Sequence, residues 1–532
     1  MSQPTIEESY DELPYPELFF AQSHPNRQAA VATLFGVIPP VVEHCRVLEL
    51  GCATGTNVMS MASQMPAAEF LGIDLSNRQI GQGREIVSLL ELNNVQLKNI
   101  DLLEFPQDAG GFDYIIAHGV FSWVPPHVQD GILSLCKRHL NPNGLAYISY
   151  NVLPGWHTRG LIREMMLYRT RGITDPLEKV KVGTGLISFL ADSVPRELTE
   201  YREAIHENLQ IVKESSAGAG YVYHEFLERE NHPLYFHEFA ERAAQHGLQF
   251  LSEARPEQIR RDLTAPKARE VLREIADDPI KLEQYLDFLM NRSFRETLLC
   301  HDDVEIDRRL SPSRVEGMSI SGDLQCASED TEVWSDDVLE FSAPKDVTLQ
   351  ATTPTAKATL QTLQRLQPQA VSFDELCDKV AARLNETMTP RSGAPAQPHE
   401  LRADVAQEVL QGFLRGGVQL HVYQPKIACS QSERPAASSV TRFQAVSGRI
   451  VSNQRHEAVE AGPLMRRVLG LMDGTRTRSD MVEELLSAMT ADGAVVQRSG
   501  RVVTDVEELR EICTAELARH LASALKSAAV IA

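Results

Sequence analysis

The stretch Val47 to Asn57, VLELGCATGTN, constrains this chain more than any other. It reads as a buried strand, Arg46–Leu50, a tight turn of small residues, Gly51–Gly55, and the start of a helix. Glu49 stands two positions before the first glycine, and two further strands end on acids, Asp74 in EFLGIDLS and Asp101 in VQLKNID. A strand, turn and helix followed by acids at the ends of the next strands is how an open α/β sheet holds a nucleoside at its carboxyl edge. The spacing selects the nucleoside. A dinucleotide site uses G-x-G-x-x-G so that a helix N-terminus faces a pyrophosphate. Here the pattern is E-x-G-x-A-x-G, with a carboxylate where a phosphate would be repelled. A cofactor without phosphates and with a cationic end suits it, and S-adenosylmethionine is that cofactor.

Each acid then has an expected partner. Asp74 can accept both ribose hydroxyls, because a carboxylate has two acceptor oxygens. Asp101 can accept from the adenine amino group, with Leu102 supplying a backbone donor. Glu49 can hold the α-ammonium of the methionine part. Gly51, Cys52, Gly55 and Leu75 complete the expected cofactor lining, and His118, at the end of the fourth strand, borders it. Taken alone, Gly51–Gly55 is a generic strand-to-helix turn with small residues for packing. Asp74 and Asp101 at the next strand ends give it force.

Strands continue to alternate with helices through Phe112–His118 and Leu145–Asn151, which predicts a parallel, doubly wound, Rossmann-like sheet. Residues 1–157 form the expected cofactor-binding core. Residues 158–302 read as helical inserts, Thr158–Leu227 and Pro256–Asn291, around two further strands, one of them Ser293–His301. The inserts would cap the site or form an oligomer face. A strongly acidic connector follows at 303–345. Residues 346–430 carry three helices and a terminal strand, VQLHVY, like a winged helix, and 440–532 repeat the scheme. The predicted class is therefore α/β with helical inserts and two C-terminal winged-helix-like α+β domains.

A length of 532 residues exceeds one core, with roughly two to four domains expected. The formal charge of -21 argues against non-specific grip on nucleic acid, and neither winged helix shows a basic recognition helix. Protein partners rich in lysine suit such a surface better. The eight cysteines form no C-x-x-C pair, so neither zinc nor a disulfide framework is indicated. The N-terminus has no signal-peptide core and no run reaches a membrane span, which points to the cytoplasm.

The catalytic candidates are His118 and Trp123, in HGVFSWVP. A Trp face attracts a cationic amine, and imidazole titrates near neutrality. The plainer reading makes both wall residues. Tyr150, Asn151, Trp156 and His157, around NVLPGWH, are candidates for the acceptor cleft. Tyr10 and Tyr15, in the aromatic segment YDELPYPELFFAQSHP, either pack beneath the sheet or form a flap over the cofactor. The pairs His224-Glu225 and His237-Glu238 lack H-E-x-x-H spacing, so no metal is expected.

The segments YPELFFAQSHPNR, VLELGCATGTN, FLGIDLSNRQI, FDYIIAHGVFSWVP, YISYNVLPGWHTRGLIREMMLY, YFHEFAERA and QYLDFLMNRSFRETLLC resemble a bacterial family of class I methyltransferases with a methyltransferase regulatory domain. The resemblance spans about Tyr10–Cys300, with the regulatory part mainly on Gly220–Cys300. The family includes the protein lysine methyltransferases of rickettsiae, which act on an outer-membrane protein. The resemblance implies a lysine side chain as acceptor and a possible homodimer. By position, Gly51, Gly55, Asp74 and Asp101 match the family's cofactor motifs. A small-molecule methyltransferase and a non-catalytic S-adenosylmethionine-binding regulator are the alternatives.

Overall fold

The structure is a computed structural model that describes residues 11–15, 18–214, 218–256, 266–275, 277–326, 332–386, 398–491, 497–498, 501–503 and 505–531. Tyr10, part of the acidic run and residues 387–397 lie outside them.

Helix α1 (Pro25–Leu34) precedes strand β1 (Arg46–Leu50), which runs through the expected turn into α2 (Thr56–Gln64). Then come β2 (Glu69–Asp74), α3 (Asn77–Leu89), β3 (Val95–Asn99), β4 (Phe112–Ala117), α4 (Pro126–His139) and β5 (Leu140–Asn151). Ser76 caps α3, accepting from the Gln79 amide at 3.0 Å. Asp101 falls beyond β3, where it caps a short 3-10 helix, Leu102–Glu104. The segment NPNG, Asn141–Gly144, lies inside β5, and Asn143 takes a left-handed φ of 58° there.

A helical insert follows, with α5 (Trp156–Arg169), α6 (Pro176–Ser193), α7 (Thr199–Glu214) and α8 (Gly218–Phe226). Ile162, Met166, Ile187, Ile205 and Tyr223 close on one another to give it a core of its own. The sheet resumes with α9 (Phe236–Gln245), β6 (Leu248–Glu253), α10 (Pro266–Ile275), α11 (Pro279–Met290) and β7 (Phe294–His301). The strand order is β3-β2-β1-β4-β5-β7-β6. The parallel expectation is corrected at β7, which is antiparallel to both β5 and β6. After β6 the chain re-enters the sheet at the same edge, with Phe294 opposite Asn151, and so must run back. Arg295 fixes this return. It is fully buried, and its guanidinium binds Asp287, Glu283 and Glu253 at 2.6–3.2 Å. A buried charge is tolerated only when paired in this way.

The two faces of the sheet are set by strand alternation. Val47, Tyr114 and Tyr147 pack on one side with α1 and α2 residues such as Val31 and Met61. Leu48, Leu50 and Ile115 pack on the other with Ile132, Leu133 and Phe239.

The segment expected as an acidic connector contributes structure instead. Strand β8 (Ser319–Gly322) and the hairpin β9 (Leu339–Ala343) and β10 (Val347–Ala351) bury Ile320, Leu324, Leu339 and Phe341 between the exposed acids. β8 is the central strand of a small sheet with β11 (Val371–Ser372) and β12 (Val418–His421), against α12 (Pro354–Leu366), α13 (Phe373–Glu386) and α14 (Pro398–Leu414). This unit docks on α1, where Asn26 Oδ1 accepts from the Val422 and Tyr423 amides at 2.9 and 2.8 Å.

The last unit holds α15 (Ser439–Ser447), a hairpin of β13 (Ile450–Ser452) and β14 (Ala458–Glu460), α16 (Pro463–Leu471), α17 (Arg478–Ala491), the short β15 (Gln497–Arg498) and β16 (Arg501–Val502), and α18 (Val506–Lys526). The first hairpin is unannounced in the sequence, because three-residue strands carry no usable periodicity. Among the described residues no helix is long and apolar enough to cross a membrane.

Candidate active site

A cavity of about 660 Å³ opens at the carboxyl edge of β1, β2 and β4. Its size is that of a small-molecule site. Glu49, Gly51, Cys52, Asp74, Leu75, Asp101, Leu102, His118 and Trp123 all border it. Gly55 lies just behind, at the start of α2.

The turn after β1 is held by backbone. The amides of Gly51 and Cys52 both donate to the Ile73 carbonyl, at 2.9 and 3.0 Å. Gly51 (φ 68°) and Gly55 (φ 82°) take left-handed conformations that favour glycine. A side chain at Gly51 would meet Val120 Cγ2 at 2.5 Å, and one at Gly55 would meet Leu97 at 2.9 Å. Asp74 receives the Ala53 amide at 2.9 Å on one oxygen and the Ser76 amide at 2.8 Å on the other. That fixes the carboxylate, and each oxygen keeps a further lone pair for a ligand. Burial raises its pKa, against the pull of those amides. Asp101 accepts from the Leu103 amide at 2.9 Å.

Glu49 is buried. Its Oε1 accepts from Asn57 Nδ2 at 2.7 Å, while Oε2 has no hydrogen-bond partner. Burial pushes the carboxyl up to about 8, with the Asp74 charge adding to it and the Asn57 bond and the Val58 backbone amide opposing it. A cationic ligand would supply what Oε2 lacks. The orphaned carboxylate oxygen, the anchored Asp74 and the close turn all fit S-adenosylmethionine, which supplies an electrophilic methyl group when bound.

His118 departs from expectation. Burial, with Arg255 adding to it, lowers its pKa to about 3, so the ring is neutral near pH 7 and a weak base. Its Nδ1 lies 2.8 Å from the Tyr147 hydroxyl, and its face stacks on Phe20 at 3.5 Å between centroids. The Tyr147 hydroxyl donates to Glu296 Oε1 at 3.2 Å. An accepting hydroxyl makes Nδ1 the protonated nitrogen.

The acceptor candidates divide. Asn151 borders the cavity, and its Nδ2 is a buried donor without a partner. Tyr150, its neighbour on β5, faces the other way. It stacks on Phe239 at 4.0 Å and reaches Thr297 Oγ1 at 3.0 Å. Adjacent strand residues cannot both face one cavity, so Tyr150 is corrected to a core residue. Trp156 is likewise buried behind the site, edge-on to Trp123 with centroids 6.2 Å apart. His157 is exposed, outside the lining. Tyr15 does border the cavity, with Phe20, so the aromatic segment covers the site. Phe19 is buried outside the lining, its ring centroid 5.8 Å from that of His456.

Four residues escaped sequence reading. Asn57 looks like any first-turn helix residue, and Phe20 was only one aromatic among several. Glu225 was weighed only as a metal ligand. It lines the cavity from α8, paired with Arg159 at 2.9 Å, and burial raises its pKa. Phe294 reaches in from β7. Only the adjacency of α8 and β7 to the carboxyl edge, a tertiary fact, identifies these last two. His224 also borders the cavity, bonding Glu228 at 3.0 Å and the Leu13 carbonyl at 2.6 Å.

A class I methyltransferase sheet with a nucleoside cavity at its carboxyl edge defines the protein as an S-adenosylmethionine-dependent methyltransferase. Family models agree: a methyltransferase domain matches residues 47–144, a predicted methyltransferase regulatory domain matches 218–301, and a PKMT C-terminal winged helix domain matches 433–529. The uncharacterised protein RP789 of Rickettsia prowazekii (strain Madrid E) is 32% identical over 515 residues, covering 94% of this chain and 90% of that protein. A second protein of that strain, RP028, is 39% identical over 243 residues, 46% of this chain and 96% of its own length. The structure of PKMT2 from Rickettsia typhi, solved in complex with AdoHcy, superposes with a TM-score of 0.86 at 26% identity, covering 98% of this chain and all of that one. The chain belongs to this family of methyltransferases with a regulatory domain and a PKMT-type winged helix.

Proposed function

We propose that this chain transfers a methyl group from S-adenosylmethionine to the side-chain nitrogen of lysine in a protein. The observation that carries the reading is the composition of the cavity beyond the cofactor acids. Tyr15, Trp123 and Phe294 give it aromatic walls, and Glu225 adds a carboxylate. Aromatic faces with a nearby anion suit a cationic amine. The PKMT names of the structural neighbour and of the winged-helix family point the same way.

In this reading Glu49 binds the α-ammonium of the cofactor, Asp74 the ribose hydroxyls and Asp101 the adenine amino group. Gly51, Cys52, Gly55, Leu75 and Leu102 shape the same subsite. Trp123, Tyr15 and Asn151 position the acceptor. A lysine must give its proton to water before its lone pair attacks, and the positive sulfonium beside the aromatic walls favours the neutral amine; the N–CH3 bond would form as the S–CH3 bond breaks, leaving S-adenosylhomocysteine. The neutral His118 adds no competing positive charge. In-line alignment of amine and methyl then supplies much of the rate.

The test is incubation of the purified chain with methyl-labelled S-adenosylmethionine and a lysate from cells lacking it, followed by mass spectrometry. The reading expects label on lysine Nζ of one or a few proteins. Label confined to small molecules would replace it with a small-molecule methyltransferase, and no label on any fraction would favour a cofactor-binding regulator.

A further inference from the structure

The buried Glu49 is held by an amide that the far end of the chain orients. Asn57 Nδ2 donates to Glu49 Oε1 at 2.7 Å and to Ser23 Oγ at 3.2 Å. That orientation requires Asn57 Oδ1 to face two donors. One is the Phe20 amide at 3.0 Å. The other is Nε2 of His456, at 2.8 Å, from the turn between β13 and β14 in the C-terminal unit.

His456 is fully buried, and its other ring nitrogen lies 2.9 Å from Ser60 Oγ on α2. With both nitrogens engaged, the tautomer is set: Nε2 donates to Asn57 and Nδ1 accepts from the Ser60 hydroxyl. Burial keeps the ring neutral. The backbone at His456 is left-handed, at φ 58°, which is uncommon for a residue with a side chain. The hairpin supports it through the His456 amide, which donates to the Asn453 carbonyl at 3.0 Å. Neighbouring contacts seat the same turn on α2, as Gln64 Nε2 donates to the Asn453 carbonyl at 2.9 Å.

A side chain some 400 positions downstream thus fixes the amide flip of Asn57. The amide in turn presents one oxygen of Glu49 and leaves the other, unpartnered, for a ligand. We propose that His456 is a positioning residue of the cofactor site, so that the C-terminal winged helix completes the methyltransferase rather than riding on it as a separable module. The inference rests on cofactor binding at Glu49 and is independent of the acceptor.

The test is calorimetric titration of S-adenosylhomocysteine into the full chain and its variants, with thermal melting alongside. H456A is expected to weaken binding about tenfold, the upper scale of one hydrogen bond between neutral groups. H456Q, whose amide N–H can reach the same oxygen, is expected to recover most of that loss. N57A should weaken binding at least as much as H456A, and the double variant should bind no worse than N57A alone. A merely structural histidine would lower the melting temperature but leave the affinity of the folded chain unchanged, and that result overturns the proposal. So do losses that multiply in the double variant. If H456A fails to fold, H456N, whose shorter amide falls short of Asn57, takes its place, and an unchanged affinity there has the same force. Failure of the unaltered chain to bind S-adenosylhomocysteine would strike the cofactor assignment itself, a separate outcome.

Discussion

The two ends of the cavity are built differently. The end proposed for the cofactor comes from the ends of β1 and β2 and the turn beyond β3, Glu49 to Asp101, locked by local hydrogen bonds and by glycines with no room for a side chain. The end proposed for the acceptor is gathered from Tyr15, Trp123, Asn151, Glu225 and Phe294, on five separate segments. The first is a rigid cradle for one ligand. The second is an assembly that insertions can remodel without disturbing the sheet, as function grafted on a common fold requires.

Substitutions should divide along this line. The largest effect is expected at the cofactor end. Asp74→Ala removes the acceptors proposed for the two ribose hydroxyls and should weaken S-adenosylhomocysteine about a hundredfold by calorimetry, with little change in acceptor KM. At the other end, Trp123→Ala should raise the KM for the protein acceptor by about tenfold in steady-state methylation assays.

The pH dependence sharpens the contrast. With its pKa pushed up to about 8, Glu49 is protonated in the free enzyme at mildly acid pH. A bound ammonium favours the carboxylate, so binding releases a proton and affinity rises with pH. Cofactor affinity should climb about tenfold from about pH 6 to about pH 7.5, and Glu49→Gln should flatten the profile. The same linkage acts on folding with the opposite sign. The raised pKa stabilises the free enzyme at low pH, and that contribution is lost as pH rises toward about 8. The smallest effect belongs to a residue the sequence places in the cleft: Tyr150→Phe should leave both KM values within about twofold, because its hydroxyl turns away from the cavity to Thr297.

The same division explains what could be read from sequence. Glu49, Asp74 and Asp101 were legible because strand ends and a turn are local, and locality is what a linear pattern records. The seven-stranded sheet followed from the alternation of strands and helices, but the reversal of β7 did not, since direction depends on where α11 leaves the chain. Tyr150 and Asn151 were taken together, although strand alternation alone places them on opposite faces. The acidic run near 303–345 hid β8 and β9 because charged residues outnumber the few buried ones, Ile320, Leu339 and Phe341 among them. His456 carries no local signal whatever: its meaning lies in Asn57, on the far side of the chain.

The most direct measurement is a side-by-side titration of S-adenosylhomocysteine into Asp74→Ala and Trp123→Ala. A loss of about a hundredfold in the first and of no more than about twofold in the second is predicted, because the two residues serve different ligands. Equal losses in both variants, or none at Asp74, would contradict the division of the cavity into a cofactor end and an acceptor end.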